Sequence, residues 1–153
     1  MRATIFILLI GFIFSSISYN PSLAIKYAKQ YCKNYNPAYK SYKGLGCDCS
    51  NFVSQCLIAG GLDLRKCEGL DEKGSVKKTA NLKACLTKMG WKSKQGIPKQ
   101  FKAGYPFFQG DMHARIATAV NGKEVTYCDH KECGDNCNSK ITNDNLYYYY
   151  LSD

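Results

Sequence analysis

Acidic residues are scarce in this chain, 12 against 21 lysines and arginines, and histidines are scarcer still, with two in 153 residues. The acid deficit leaves a formal net charge of +9. Such a charge draws a protein toward anionic polymers such as bacterial walls, acidic glycans or membrane surfaces, and it serves plain solubility equally well. The lysines are scattered and no nucleic-acid-binding motif occurs, so nucleic acid is not an expected partner. With so few imidazoles, a metal site would have to draw on Cys128, Cys133, Cys137 and His130, a cluster that lacks a clean pair of CxxC elements. No metal or organic cofactor is expected. There is no internal repeat, and apart from Tyr147 to Tyr150 no low-complexity tract.

Long apolar runs are also missing, except at the start. Met1-Arg2, the apolar stretch Thr4 to Phe14 and the small-residue site Ser16-Ile17-Ser18 read as a secretory signal peptide over residues 1–18. That stretch is well under the roughly 20 residues that span a bilayer. The expected product is a secreted, extracellular, monomeric protein of one domain, residues 19–153, with no membrane segment after cleavage.

Cysteine, by contrast, is plentiful, and nine in a secreted chain of this size argue for disulfides. An odd count leaves one thiol over. Cys49 is the candidate, with Cys32, Cys47, Cys56, Cys67, Cys85, Cys128, Cys133 and Cys137 available for four bridges of undetermined pairing. Cys49 opens a predicted helix, where the exposed N–H groups and the positive end of the dipole favour a thiolate.

Asn20-Pro21 starts a first helix, with Leu23, Ala24, Tyr27, Ala28 and Tyr31 at helical spacing to about Asn34. Asn36 to Gly46 reads as a loop. Asp48 is the expected cap of the second helix, which carries Cys49, Phe52, Val53, Cys56 and Leu57 on one face and ends at Gly60-Gly61. Asn81 is the expected cap of a third, with Leu82, Cys85, Leu86 and Met89 in its stripe. Lys92 to Gly104 has little period and reads as connecting structure. From His113 the period becomes that of strands, with Asn121-Gly122 as a hairpin turn between His113–Val120 and Glu124–Cys128, and a last strand at Asn145 to Leu151. Helices first and antiparallel strands afterwards predict an α+β fold.

If Asn121 and Gly122 form the two-residue turn, Val120 pairs with Lys123, Ile116 with Tyr127, and His113 falls opposite His130. Opposed side chains lie close enough to hydrogen-bond. On that register His113 is the base for Cys49 and His130 orients it. Asp129 points to the opposite face and ranks lower, as does Asp111, which suits the turn entering the strand. Tyr39, Tyr42 and Trp91 are candidates for stacking on substrate, against ordinary core packing.

These residues resemble the amidase branch of the NlpC-like cysteine peptidases, in the papain-like superfamily. Asp48-Cys49-Ser50-Asn51-Phe52-Val53-Ser54-Gln55 is similar to that family's Asp-Cys-Thr-Asn-Phe-Val-Ser-Gln pattern, and His113 to Val120 with Tyr127 to His130 looks like its base strand and return strand. The resemblance implies a helix bearing Cys49 packed on a C-terminal antiparallel sheet bearing His113, with His130 as third member. It further implies hydrolysis of amide bonds in bacterial peptidoglycan, within stem peptides or between muramic acid and L-alanine. After His130 the family usually continues Thr-Asn-Asp-Arg, where this chain has Lys131-Glu132-Cys133. The competing expectation is a non-enzymatic cationic module that binds wall or matrix polymers.

Overall fold

The computed structural model describes residues 19–46, 48–131 and 135–152. The expected signal peptide, Cys47 and Cys133 lie outside the described residues. Helix α1, Pro21–Tyr31, begins where the Asn20 side chain accepts the N–H groups of Ser22 and Leu23 at 3.0 and 3.3 Å. That is the N-cap the Asn-Pro pair predicts. It stops three residues short of the expected end, and Ala24 and Ala28 form its buried stripe.

Helix α2, Cys49–Ala59, is buried on every side from Cys49 to Leu57, not on one face alone. Its polar residues survive burial because each has a partner. Ser54 donates to the Asn51 carbonyl and accepts the Val76 N–H, and Gln55 accepts the Tyr27 hydroxyl at 2.8 Å. A helix enclosed all round is the centre of a core, and α2 packs against α1, the sheet and helix α3, Thr79–Lys88. Helix α3 starts two residues before the expected cap. Lys78 holds the extended cap conformation there, and Asn81 instead sits against Gly69, where a Cβ would run into the Asn81 amide nitrogen.

Six antiparallel strands form one sheet in the order β1-β6-β2-β3-β4-β5: β1 Lys92–Gln95, β2 Pro106–Gln109, β3 His113–Asn121, β4 Glu124–Asp129, β5 Asn136–Ile141 and β6 Tyr147–Tyr150. The α+β class is as expected. Strand β1 falls in the stretch read as connecting structure, and β5 lay beyond any periodic signal. Strand β6 lies between β1 and β2, so both its edges are paired, and its tyrosines pack on the neighbouring strand: Tyr148 stacks on Phe107 with ring centres 5.3 Å apart, and Tyr149 meets Phe108 edge-on at 4.9 Å. Disulfides join Cys32 to Cys137 and Cys67 to Cys85, tying α1 to β5 and a surface loop to α3.

The β3–β4 hairpin departs from the expected register twice. Asn121 pairs with Glu124, so Gly122 and Lys123 are the central turn residues, with Gly122 at φ +59°. This moves each rung by two residues, and Val120 faces Val125. A bulge between Ala117 and Ala119 then takes back one, so that Ile116 faces Cys128. The net displacement is one residue, and a one-residue slip exchanges the faces of a strand.

Candidate active site

That slip decides which side chain meets His113. Carried one rung past Ile116–Cys128, the register sets Asp129 against Arg115, on the face of His113, and sends His130 to the other face. The expected pairing of the two imidazoles is therefore corrected. His113 Nε2 bonds Asp129 Oδ2 at 2.7 Å, and Asp129 is wholly buried. Asp129 Oδ1 accepts the Asn136 side-chain amide at 2.8 Å, and the Arg115 Nε lies 3.4 Å from Oδ2. Arg115 is itself buried between the rings of Phe107 and Tyr127 and donates to Gln109.

Cys49, at the first position of α2, is 1% exposed and hydrogen-bonds His113. Burial alone would pull the His113 imidazole down, but the hydrogen bonds to Asp129 and Cys49 outweigh it, and the ring titrates above its ordinary value. Thiol, imidazole and carboxylate thus stand in sequence across the end of the sheet. Two hydroxyls flank the sulfur, Thr79 Oγ1 at 3.8 Å and Ser50 Oγ at 3.9 Å, and these are 2.7 Å from each other. Thr79 carried no sequence signal, because a hydroxyl brought in from the start of another helix leaves no local motif, whereas Ser50 stands in the motif beside Cys49.

Asp48 occupies the cap position of α2 but makes no capping bond with its side chain. Its Oδ1 accepts the Tyr42 backbone N–H at 2.8 Å and the Asn51 amide at 2.7 Å, while Oδ2 meets His130 Nδ1 at 2.8 Å. His130 is 2% exposed and lies between Phe52 and Tyr35, with ring centres 3.9 and 4.2 Å away. Its ring nitrogens meet the residue before the nucleophile and the end of α1. The Tyr42 backbone N–H is taken by Asp48 and is therefore not a donor to an oxyanion.

Trp91 does not line the site. It is 3% exposed and packs edge-on against Tyr19 and Tyr105 at 5.3 and 5.1 Å. Tyr39 is half-buried beside a cavity of about 250 Å³ with Ile58, Leu62 and Leu64. Tyr42 carries the ammonium groups of Lys40 and Lys77 over its ring, and burial together with its bond to Asp71 pushes its hydroxyl up to about 12.

Cys56 and Cys128, expected in bridges, are buried thiols outside any disulfide, and burial raises both. Desolvated and protonated, they are inert where Cys49 is partnered by an imidazole. Among the described members of the possible metal cluster, Cys137 bonds Cys32 and the ring nitrogens of His130 face Asp48 and the Tyr31 carbonyl.

A cysteine at a helix start, facing a histidine whose second nitrogen is held by a buried carboxylate, is the arrangement of a nucleophilic site. The family model described as "Putative amidase domain" matches residues 18–125, and the chain belongs to that family. The match includes Cys49 and His113 and ends before Asp129. It places the chain among domains described by amide hydrolysis. Over 42 residues the chain is 45% identical to "Uncharacterized protein YhbB" of Bacillus subtilis (strain 168), a match spanning 28% of this chain and 12% of that protein. The chain thus corresponds to only a small part of that relative's length.

Proposed function

We propose that this chain is a secreted cysteine amidase of the NlpC-like, papain-like type, cutting amide bonds of bacterial peptidoglycan with Cys49 as nucleophile, His113 as acid and base, and Asp129 as orienter. The contact of His113 with both Cys49 and Asp129 carries this reading. Nε2 donates to Asp129, leaving Nδ1 for the thiol. The Cys49 proton moves to Nδ1, the sulfur attacks the amide carbonyl, and the imidazolium returns the proton to the departing amine. Water then attacks the thioester, gives its proton to His113 and releases the acid, and the proton goes back to sulfur. The backbone N–H of Cys49, at the dipole's positive end, is the natural donor to the developing oxyanion. The Cys32–Cys137 and Cys67–Cys85 disulfides and the apolar leader sequence support secretion, and the positive charge supports an anionic polymer as substrate.

The test is mass spectrometry of fragments released from purified peptidoglycan, with Cys49→Ala as control. New amino groups on diamino acids would assign stem-peptide endopeptidase action. Whole stem peptides would assign cleavage between muramic acid and L-alanine. Binding without any release would favour the cationic binding module and sink the hydrolase.

A further inference from the structure

The reading of Cys49 as nucleophile leaves unexplained the second histidine, which is buried, fully engaged and one residue from Asp129, yet touches neither the thiol's partner nor its orienter in any hydrogen bond described above. Its bonds go elsewhere. We propose that His130 is a positioning residue for Cys49, acting through Asp48 as the imidazolium half of a buried ion pair. This inference rests on the proposed role of Cys49.

The protonation follows from the partners. His130 Nε2 lies 3.0 Å from the Tyr31 carbonyl oxygen, which only accepts, so Nε2 carries a hydrogen. Nδ1 lies 2.8 Å from Asp48 Oδ2. The other oxygen of that carboxylate takes two N–H donors, from Tyr42 and Asn51, the donor set of an ionised group. Both ring nitrogens therefore donate. Phe52 and Tyr35 cover the two faces of the ring at interplanar angles of 21° and 30°, and aromatic faces attract a cation. Among the described residues, Asp135 accepts the Tyr35 hydroxyl, Lys43 lies over the Tyr35 ring, and Asp129 is on the opposite face with His113.

Two consequences reach the sulfur. Asp48 immediately precedes Cys49, and its oxygens gather the Tyr42 loop, the first turn of α2 and the end of β4, while His130 Nε2 adds the end of α1. His130 thereby fixes where the first residue of α2 sits relative to the strand pair that carries His113. The second consequence is electrostatic. A lone carboxylate beside the nucleophile would oppose the thiolate, and the imidazolium neutralises it.

The test uses the full chain with its disulfides intact. Side-chain ¹⁵N spectra at neutral pH are expected to show His130 with two N–H nitrogens, and Asp48→Asn to leave it with one. His130→Gln and Asp48→Asn are each expected to slow alkylation of Cys49 by iodoacetamide roughly tenfold, a modest displacement from the reactive geometry. The double variant should be no slower than the slower single one, because both act along one path. Asp48→Asn is isosteric and carries the test if His130→Gln does not fold. A singly protonated ring in the unaltered protein, unchanged alkylation in folded variants, or additive losses would each overturn the proposal. An alkylation rate indifferent to His113→Ala would instead remove the thiol–imidazole reading and leave the His130–Asp48 pair standing.

Discussion

The His113 ring donates from Nε2 to the Asp129 carboxylate over 2.7 Å, across a strand pair whose bulge at Thr118 sets the two on one face. Without that bulge the register beyond it would run one residue further, facing Arg115 with His130 and turning Asp129 away. The pair has a pH signature. His113 is raised above its ordinary value, so its stabilising bonds are fully present below about pH 6.5 and are lost as pH rises through the elevated value. Denaturant melts of Asp129→Asn should therefore show a loss that is largest at mildly acid pH and shrinks above neutrality. The same substitution should lower kcat by about 100-fold or more and move the alkaline limb of kcat/KM to lower pH, since the imidazolium no longer has its carboxylate. A melt difference that grows with rising pH would contradict this assignment.

Much of the frame was legible because its signals are local. Asn20-Pro21 marks the start of α1, Gly90 at φ +90° ends α3, and alternation identifies β3 and β4. Cys49 and His113 were legible for the same reason, one at a helix mouth and the other at a strand start. Asp129 was not. Its face depends on where the turn closes and whether a residue bulges, and Asn121-Gly122-Lys123 accommodates either closure with glycine supplying the left-handed residue. The sulfur pairing was equally hidden, since Cys32 and Cys137 lie 105 residues apart and meet only once α1 packs beside β5.

Trp91 separates a core aromatic from a substrate platform. Its burial between Tyr19 and Tyr105 predicts that Trp91→Ala costs about 3–5 kcal/mol of stability. KM for peptidoglycan fragments should stay within about twofold wherever the variant remains folded. A selective rise in KM with an unchanged melting curve would restore Trp91 to the binding surface.

The two bridges should differ in weight. Cross-linking over 105 residues removes more freedom from the unfolded chain than cross-linking over 18, about 4.7 against about 3 kcal/mol in the chain-entropy account. Replacing Cys32 and Cys137 by alanine should therefore destabilise the protein more than replacing Cys67 and Cys85. Peptide mapping after denaturing alkylation without reductant should find Cys49, Cys56 and Cys128 labelled and these two crosslinks intact. A crosslink between Cys56 and Cys128, or one through Cys49, would overturn the assignment.

Thr79 tests the surroundings of the sulfur. Its hydroxyl and that of Ser50 are 2.7 Å apart, so one proton joins them, and the hydroxyl that accepts it retains a proton of its own. Cys49 Sγ, 3.8 Å from Thr79 Oγ1 and 3.9 Å from Ser50 Oγ, is the acceptor within reach, and a thiolate accepts better than a thiol. Thr79→Val keeps the shape and removes the nearer of the two hydroxyls together with its bond to Ser50. It should slow alkylation of Cys49 by about threefold to tenfold at neutral pH, with the rate recovering at higher pH as the unaided thiol ionises. Stability should fall by about 1–2 kcal/mol, because Ser50 loses its buried partner. Thr79→Ser, which retains the hydroxyl, should restore most of the rate. If the serine variant is as slow as the valine one, the hydroxyl does not act on the sulfur and Thr79 only packs against it.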